Sequence, residues 1–265
     1  MRETSQVVRI ERHRLNEDLV GLTFSSLEGR DESALRRLVF VQHGLGSRKE
    51  RHLDLCLQLA EAGFLACSLD ARFHGDRATP EMRRQLSDIH NAEFPAAFLQ
   101  TVQGTVQDIS ALATYFEADS YGLIGHSMGG FIALQTTIAD PRVRGVVSVA
   151  GALPLTMPED MRYSAEAASA MRQTDLAARA ASLWPRPVLL LHGEADETVP
   201  LSGSARLYEA LRPFYATEPQ RLGFVPYVGA DHSLAPAMAR EAVAWMQKYL
   251  RSDREFYPGE HDTPR

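Results

Sequence analysis

A chain of 265 residues, 45% hydrophobic and 23% charged, has the size and composition to fold around one large core. Its net charge of −6 and the lack of a basic run argue against a nucleic-acid partner. No stretch reaches the roughly 18 apolar residues of a membrane span, and the opening MRETSQVVRIERHRL is broken by charges instead of carrying a signal-peptide core.

Short apolar runs alternate with longer amphipathic ones along the chain. Residues 7–10 and 19–27 read as an opening antiparallel pair of strands. LVFVQ at 38–42 shows no polar alternation, which predicts a strand buried on both faces. Residues 51–62 place Leu53, Cys56, Leu57, Leu59 and Ala60 at helical spacing, and Gly63 follows as a stop. A strand is predicted at 64–69 and a helix at 98–116, where Val102, Val106, Ile109 and Leu112 share a face. Strands at 121–125 and 143–150 flank a helix that opens after Ser127 and stops at Asp140-Pro141. Strands at 187–191 and 222–228 and a helix at 237–250 close the fold. Residues 77–95 and 152–185 break the alternation and read as helical excursions over the strand ends, the second a candidate small cap. The polar stretch 251–265 reads as a frayed tail beyond a single domain over 1–250. Cys56 and Cys67 sit in apolar surroundings and are expected to be buried free thiols, which favours a soluble cytoplasmic protein.

Strand–helix alternation of this kind predicts an α/β fold: a mostly parallel, eight-stranded sheet with helices on both faces. Ligands in such sheets gather at the carboxyl ends of the strands. Candidate chemistry stands at those ends. Gly125-His126-Ser127-Met128-Gly129 joins a strand to a helix, the context in which Gly-x-Ser-x-Gly presents a nucleophile; a glycine-rich turn without chemistry has the same local sequence. A serine hydroxyl needs a base, and the base an orienting acid. Glu194 and Asp196 follow one later strand, and Asp231 and His232 follow the next, so Ser, acid and His appear in that order at successive strand ends.

Five segments together resemble the α/β-hydrolase superfamily: VQHGLGS (41–47), LDARFHGD (69–76), GHSMGG (125–130), LHGEADETVP (191–200) and GADHS (229–233). The likeness spans about residues 7–250 and is strongest to compact bacterial serine esterases related to the prolyl-oligopeptidase and dienelactone-hydrolase branches. It implies Ser127 as nucleophile, His232 as base and, through the pattern His-Gly-x-x-Asp-x-x-Val-Pro, Asp196 as acid over Glu194 and Asp231. It also implies backbone N–H groups of Leu45 and Met128 as oxyanion donors. The chain departs from the family at Phe73-His74, where Asp-x-Arg-Gly-x-Gly is usual, so Asp70 and Arg72 are expected to brace the site loops. His43, His74 and His126 are candidate lining of the substrate pocket, with His43 also read as a support of its own loop.

The expected activity is hydrolysis of short-chain carboxylic esters through an acyl-enzyme. Thioesterase, amidase and acylaminoacyl peptidase activities would use the same triad, and a non-catalytic ligand-binding protein is a reading of a different class. No HExxH or CxxC spacing suggests a metal, and no cofactor is expected. The expected partners are a small-molecule ester and at most a second copy of the chain, as monomer or homodimer, with no nucleic acid and no membrane.

Overall fold

The computed structural model describes residues 7–27, 37–153, 172 and 174–250. The candidate cap at 152–185 therefore falls largely outside the described residues, as does the tail at 251–265. Eight strands form one sheet: β1 (Val8–Arg14), β2 (Val20–Ser26), β3 (Leu38–Gln42), β4 (Leu65–Leu69), β5 (Tyr121–His126), β6 (Val143–Val149), β7 (Val188–Gly193) and β8 (Leu222–Tyr227). Their spatial order is β1-β2-β4-β3-β5-β6-β7-β8. β2 runs antiparallel to β1 and β4, and all other pairs are parallel. The expected mostly parallel sheet and its opening antiparallel pair are both present.

The helices are α1 (Leu53–Glu61), α2 (Pro80–Leu86), α3 (Phe94–Tyr115), α4 (Met128–Ala139), α5 (Leu201–Leu211) and α6 (Pro236–Leu250). α1 and α6 cover one face, over Val39, Val41, Ile124, Val147 and Leu189. α3, α4 and α5 pack on the other, over Leu38, Phe40, Leu123, Val146 and Leu190. Neighbouring positions of each central strand thus point into opposite cores, which is why β3 and its neighbours read as unbroken apolar runs. Each fully buried Leu, Val or Phe stabilises the fold by about 1.5–3 kcal/mol relative to exposure. Cys56 and Cys67 are buried free thiols, as expected.

Element ends follow local chemistry. α1 stops in a Schellman motif: the Phe64 N–H donates to the Leu59 carbonyl and the Gly63 N–H to the Ala60 carbonyl, with Gly63 at φ +84°. α2, within the excursion expected at 77–95, is capped by Thr79, whose hydroxyl accepts from the Met82 N–H, with Pro80 in the first turn. The largest differences from the sequence reading fall at three elements. α3 starts at Phe94 instead of 98, because Pro95 is in its first turn, where its missing N–H costs nothing. β1 continues through charged residues to Arg14, since an edge strand needs only the backbone pairing to β2 that runs from Val8↔Ser26 to Arg14↔Val20. α5 was not foreseen: its inward positions are Gly203, Ser204, Leu207 and Leu211, and a face half made of Gly and Ser carries little apolar signal.

The chain reverses its direction of travel across the sheet at β3. β4 lies on one side of β3 and β5 on the other, and the helices that follow β3 and β5 go to opposite faces. A crevice opens at such a switch point, above the carboxyl ends of the two strands. Gln42 pairs with Gly125 at that edge, which sets His43-Gly44 beside His126-Ser127.

Candidate active site

β5 ends at His126 and α4 begins at Met128, so Ser127 alone makes the turn. Its backbone takes φ 57° and ψ −125°, a conformation that costs a non-glycine residue on the order of 1–3 kcal/mol. Two hydrogen bonds hold it there: the Ser127 N–H donates to the Val149 carbonyl at 2.8 Å, and its carbonyl accepts from the Phe131 N–H at 3.1 Å. The turn closes only because position 125 has no side chain, since a Cβ there would lie 2.0 Å from the Gly129 carbonyl oxygen.

His232 and Asp196 arrive from the ends of β8 and β7. His232 Nε2 lies 3.0 Å from Ser127 Oγ, and its Nδ1 lies 2.8 Å from Asp196 Oδ2. The Asp196 side chain is 0% exposed and that of His232 25%, so the carboxylate is sealed beneath an imidazole whose edge meets solvent. Oδ1 of Asp196 accepts from the N–H groups of Thr198 at 2.9 Å and Val199 at 2.8 Å. Burial works against ionisation of this carboxyl, but the Val199 N–H, His232 and the Thr198 N–H outweigh it and hold its pKa below the usual range. Glu194 and Asp231, the competing acids, are exposed, and Asp231 turns back to accept from the Ser233 N–H.

A hydroxyl, an imidazole and a buried carboxylate in one hydrogen-bonded line can strip a proton from the hydroxyl and stabilise the imidazolium that results. Two stretches of backbone adjoin the serine. The Met128 N–H is the first of α4 and has no acceptor within its own helix. Gly44 abuts the serine, since a Cβ at 44 would sit 3.1 Å from Ser127 Cβ, and Leu45 follows it directly.

The other histidines divide by their partners. His43 is buried and uses both ring nitrogens: Nε2 accepts from the Ala71 N–H at 3.0 Å, so Nδ1 carries the hydrogen and donates to the Gly44 carbonyl at 2.8 Å. Burial pushes its pKa down to about 4, against the opposing pull of the Gly44 carbonyl. His74 is buried, donates from Nδ1 to the Arg72 carbonyl at 2.9 Å and has its ring 5.6 Å from that of His43, tilted by 48°. His126 is half-buried, with its ring 5.0 Å from that of His232.

Around this line runs a charged scaffold. Asp70 accepts from the Lys49 backbone N–H at 2.7 Å, the Lys49 ammonium at 2.8 Å and the Asp76 N–H at 3.0 Å. Arg72 makes a two-pronged pair with Asp108 at 3.0 and 2.9 Å, and Arg77 joins the same carboxylate at 2.7 Å. Asp70 and Arg72 thus tie the loop after β4 to the loop after β3 and to α3. One supporting residue escaped the sequence reading. His192, at the end of β7, is fully buried; its Nε2 donates to the Val199 carbonyl at 2.9 Å and lies 3.3 Å from Asp196 Oδ2, and its Nδ1 accepts from the Ser204 hydroxyl at 2.7 Å. The His-Gly of the LHGEADETVP segment is the signal that could have drawn attention to it.

The hydrolase family described as "Serine aminopeptidase, S33" matches residues 33–174, just over half of the sequence. The chain belongs to that family, within the α/β-hydrolase superfamily. Among relatives of this α/β-hydrolase, "Putative esterase YitV" of Bacillus subtilis is 26% identical over 261 residues, which covers 89% of this chain and 98% of that protein. "Esterase YjfP" of Escherichia coli is 26% identical over 237 residues, 84% and 92% of the two chains. The crystal structure of TT1662 from Thermus thermophilus superposes with a TM-score of 0.74 at 27% identity, over 92% of this chain and 99% of that one. The family match includes Ser127 and ends before Asp196 and His232, so those two stand on the geometry of the strand ends. Among the described residues, no helix of this hydrolase is long and apolar enough to cross a membrane.

Proposed function

We propose that this α/β-hydrolase is a serine esterase that cleaves carboxylic esters through an acyl-enzyme on Ser127. The observation that carries the reading is the line Ser127–His232–Asp196, at 3.0 and 2.8 Å, on three separate strand ends. His232 Nε2 takes the hydroxyl proton as Ser127 Oγ bonds to the acyl carbon. The proton then passes to the leaving alkoxide and the C–O bond to the alcohol breaks. Water, deprotonated by the same nitrogen, attacks the acyl-enzyme; the bond from the acyl carbon to Ser127 Oγ breaks, the carboxylic acid leaves, and His232 Nε2 returns the proton to Oγ. Asp196 holds the Nδ1–H tautomer of His232 and offsets the charge of the imidazolium. The N–H groups of Leu45 and Met128 receive the tetrahedral oxyanion; in well-studied hydrolases each such donor contributes about 2.7–4 kcal/mol. The esterase names of the YitV and YjfP relatives support the reaction class. No step calls on a cofactor.

The finer reading is a preference for short acyl chains. It rests on the segment 152–185, which is too short in sequence for the broad lid of a long-chain lipase. The family description favours a second reading, hydrolysis of aminoacyl amides by the same triad. A fluorophosphonate probe tests the core proposal: wild type acquires a covalent adduct at Ser127 and Ser127→Ala does not. An unlabelled wild type would indicate a binding protein on this fold. Turnover of p-nitrophenyl esters against aminoacyl p-nitroanilides separates the two reaction classes, with faster ester cleavage expected.

A further inference from the structure

His232 and Ser127 come from distant parts of the sheet. Ser127 leaves β5, an interior strand, whereas His232 leaves β8, the edge strand, with β6 and β7 between them. The loop that carries His232 projects from the edge, with Val228 87% exposed and Gly229 at φ +70°. Backbone bonds tie this loop to the acid: the Ala195 N–H donates to the Ala230 carbonyl and the Glu194 N–H to the Tyr227 carbonyl, both at 2.9 Å. Those bonds set the His232–Asp196 distance and leave the His232–Ser127 distance free. A different contact spans that gap. His126 Nε2 lies 2.6 Å from the carbonyl oxygen of His232, joining positions 106 residues apart. A carbonyl can only accept, so Nε2 carries the hydrogen.

We propose that His126 is a positioning residue for the base: its Nε2–H bond to the His232 carbonyl ties the base loop to the nucleophile turn and fixes the Ser127–His232 separation. The inference rests on the esterase reading above. The ring is well placed for this task. His52 packs against it edge-on, with centroids 5.3 Å apart and planes at 90°. Burial lowers its pKa to about 4, so it stays neutral and places no charge beside the imidazolium that forms on His232. Beyond the ring, Arg51, His52, Gln58, Leu234 and Pro236 line a cavity of about 390 Å³ together with His126. A small residue at 126 would open the triad to that space, so a test must keep the ring's volume.

Two substitutions separate positioning from packing. His126→Gln keeps an N–H donor at similar reach, and His126→Phe keeps the ring and removes the donor. With p-nitrophenyl butyrate, His126→Phe is expected to lower kcat about 10–100-fold, as misplacement on the order of 1 Å does, with KM within about twofold of wild type. His126→Gln should recover kcat to within roughly fivefold of wild type, and fluorophosphonate labelling rates should follow the same order. In a His232→Ala background the Phe change should cost nothing further, because its effect passes through His232. The proposal is overturned if Phe equals or exceeds Gln in kcat, or if Phe costs the same factor with and without His232. Should His126→Phe melt early, His126→Leu repeats the comparison with the same expectation. Full activity and labelling in His232→Ala itself would instead overturn the triad on which the proposal stands.

Discussion

Asp196→Asn is the sharpest test of the line from serine to acid. In the wild type Oδ1 accepts from two backbone N–H groups, Thr198 at 2.9 Å and Val199 at 2.8 Å, and Oδ2 faces His232 Nδ1 at 2.8 Å and His192 Nε2 at 3.3 Å. An asparagine keeps its oxygen on the two backbone donors, because an amide nitrogen there would meet two N–H groups. Its NH2 then occupies the place of Oδ2, opposite the N–H of both histidines. His192 cannot change tautomer without losing its bond to the Val199 carbonyl. His232 can: its proton moves to Nε2, where it points at Ser127 Oγ and can no longer accept. Restoring the productive tautomer means giving up a charge-assisted hydrogen bond, about 1.5–3 kcal/mol, and setting N–H against N–H, about 1–3 kcal/mol more. The sum, about 2.5–6 kcal/mol, is a loss of roughly 10²–10⁴ in kcat. KM should barely move, since the Asp196 side chain is 0% exposed and cannot touch substrate. Steady-state kinetics on p-nitrophenyl acetate, with a melting curve to show that the fold survives, makes the measurement. A loss below tenfold, or a larger loss from Glu194→Gln or Asp231→Asn, would refute the assignment of the acid.

Three further outcomes are expected. Ser127→Gly should abolish ester turnover yet melt a few degrees above Ser127→Ala, because glycine relieves a strained φ of 57° at a cost saving of about 1 kcal/mol; equal melting points would contradict the strain. Asp140 is buried, yet Arg142, Tyr121 and Ser110 bind its carboxylate and lower its pKa to about 2. A depressed carboxylate stabilises the fold above its unfolded pKa, so roughly 2 kcal/mol should be lost as pH falls from about 4 through 2; denaturant titrations of Asp140→Asn should show a flatter loss over that window, and an unchanged slope would remove Asp140 as the cause. Across a p-nitrophenyl ester series, kcat/KM should peak at or below about six acyl carbons, each methylene up to that point contributing up to about 0.8 kcal/mol. A steady climb to long chains with activation at an oil–water interface would point to a lipase instead.

Local chemistry was legible in the sequence because it depends on near neighbours. The turn at Ser127 needs a strand, a small residue, serine and a helix within a few positions, and GLIGHSMGGFIAL spells them in order. The parallel sheet followed from apolar runs buried on both faces, and the order Ser, Asp, His from the strands that bear them. The tertiary structure decided what joins residues far apart. It gave both nitrogens of His43 to the Ala71 N–H and the Gly44 carbonyl, buried His74 behind the same loop, and set His126 against the His232 carbonyl. It brought the fully buried His192 under Asp196, and it hid α5 behind a face of Gly203 and Ser204 that no apolar count detects. A histidine carries the same letter whether its nitrogens meet substrate or backbone. Which they meet is set by the strand order that brings the ends of β3, β4, β5, β7 and β8 to one edge, and that order is a property of the packed sheet.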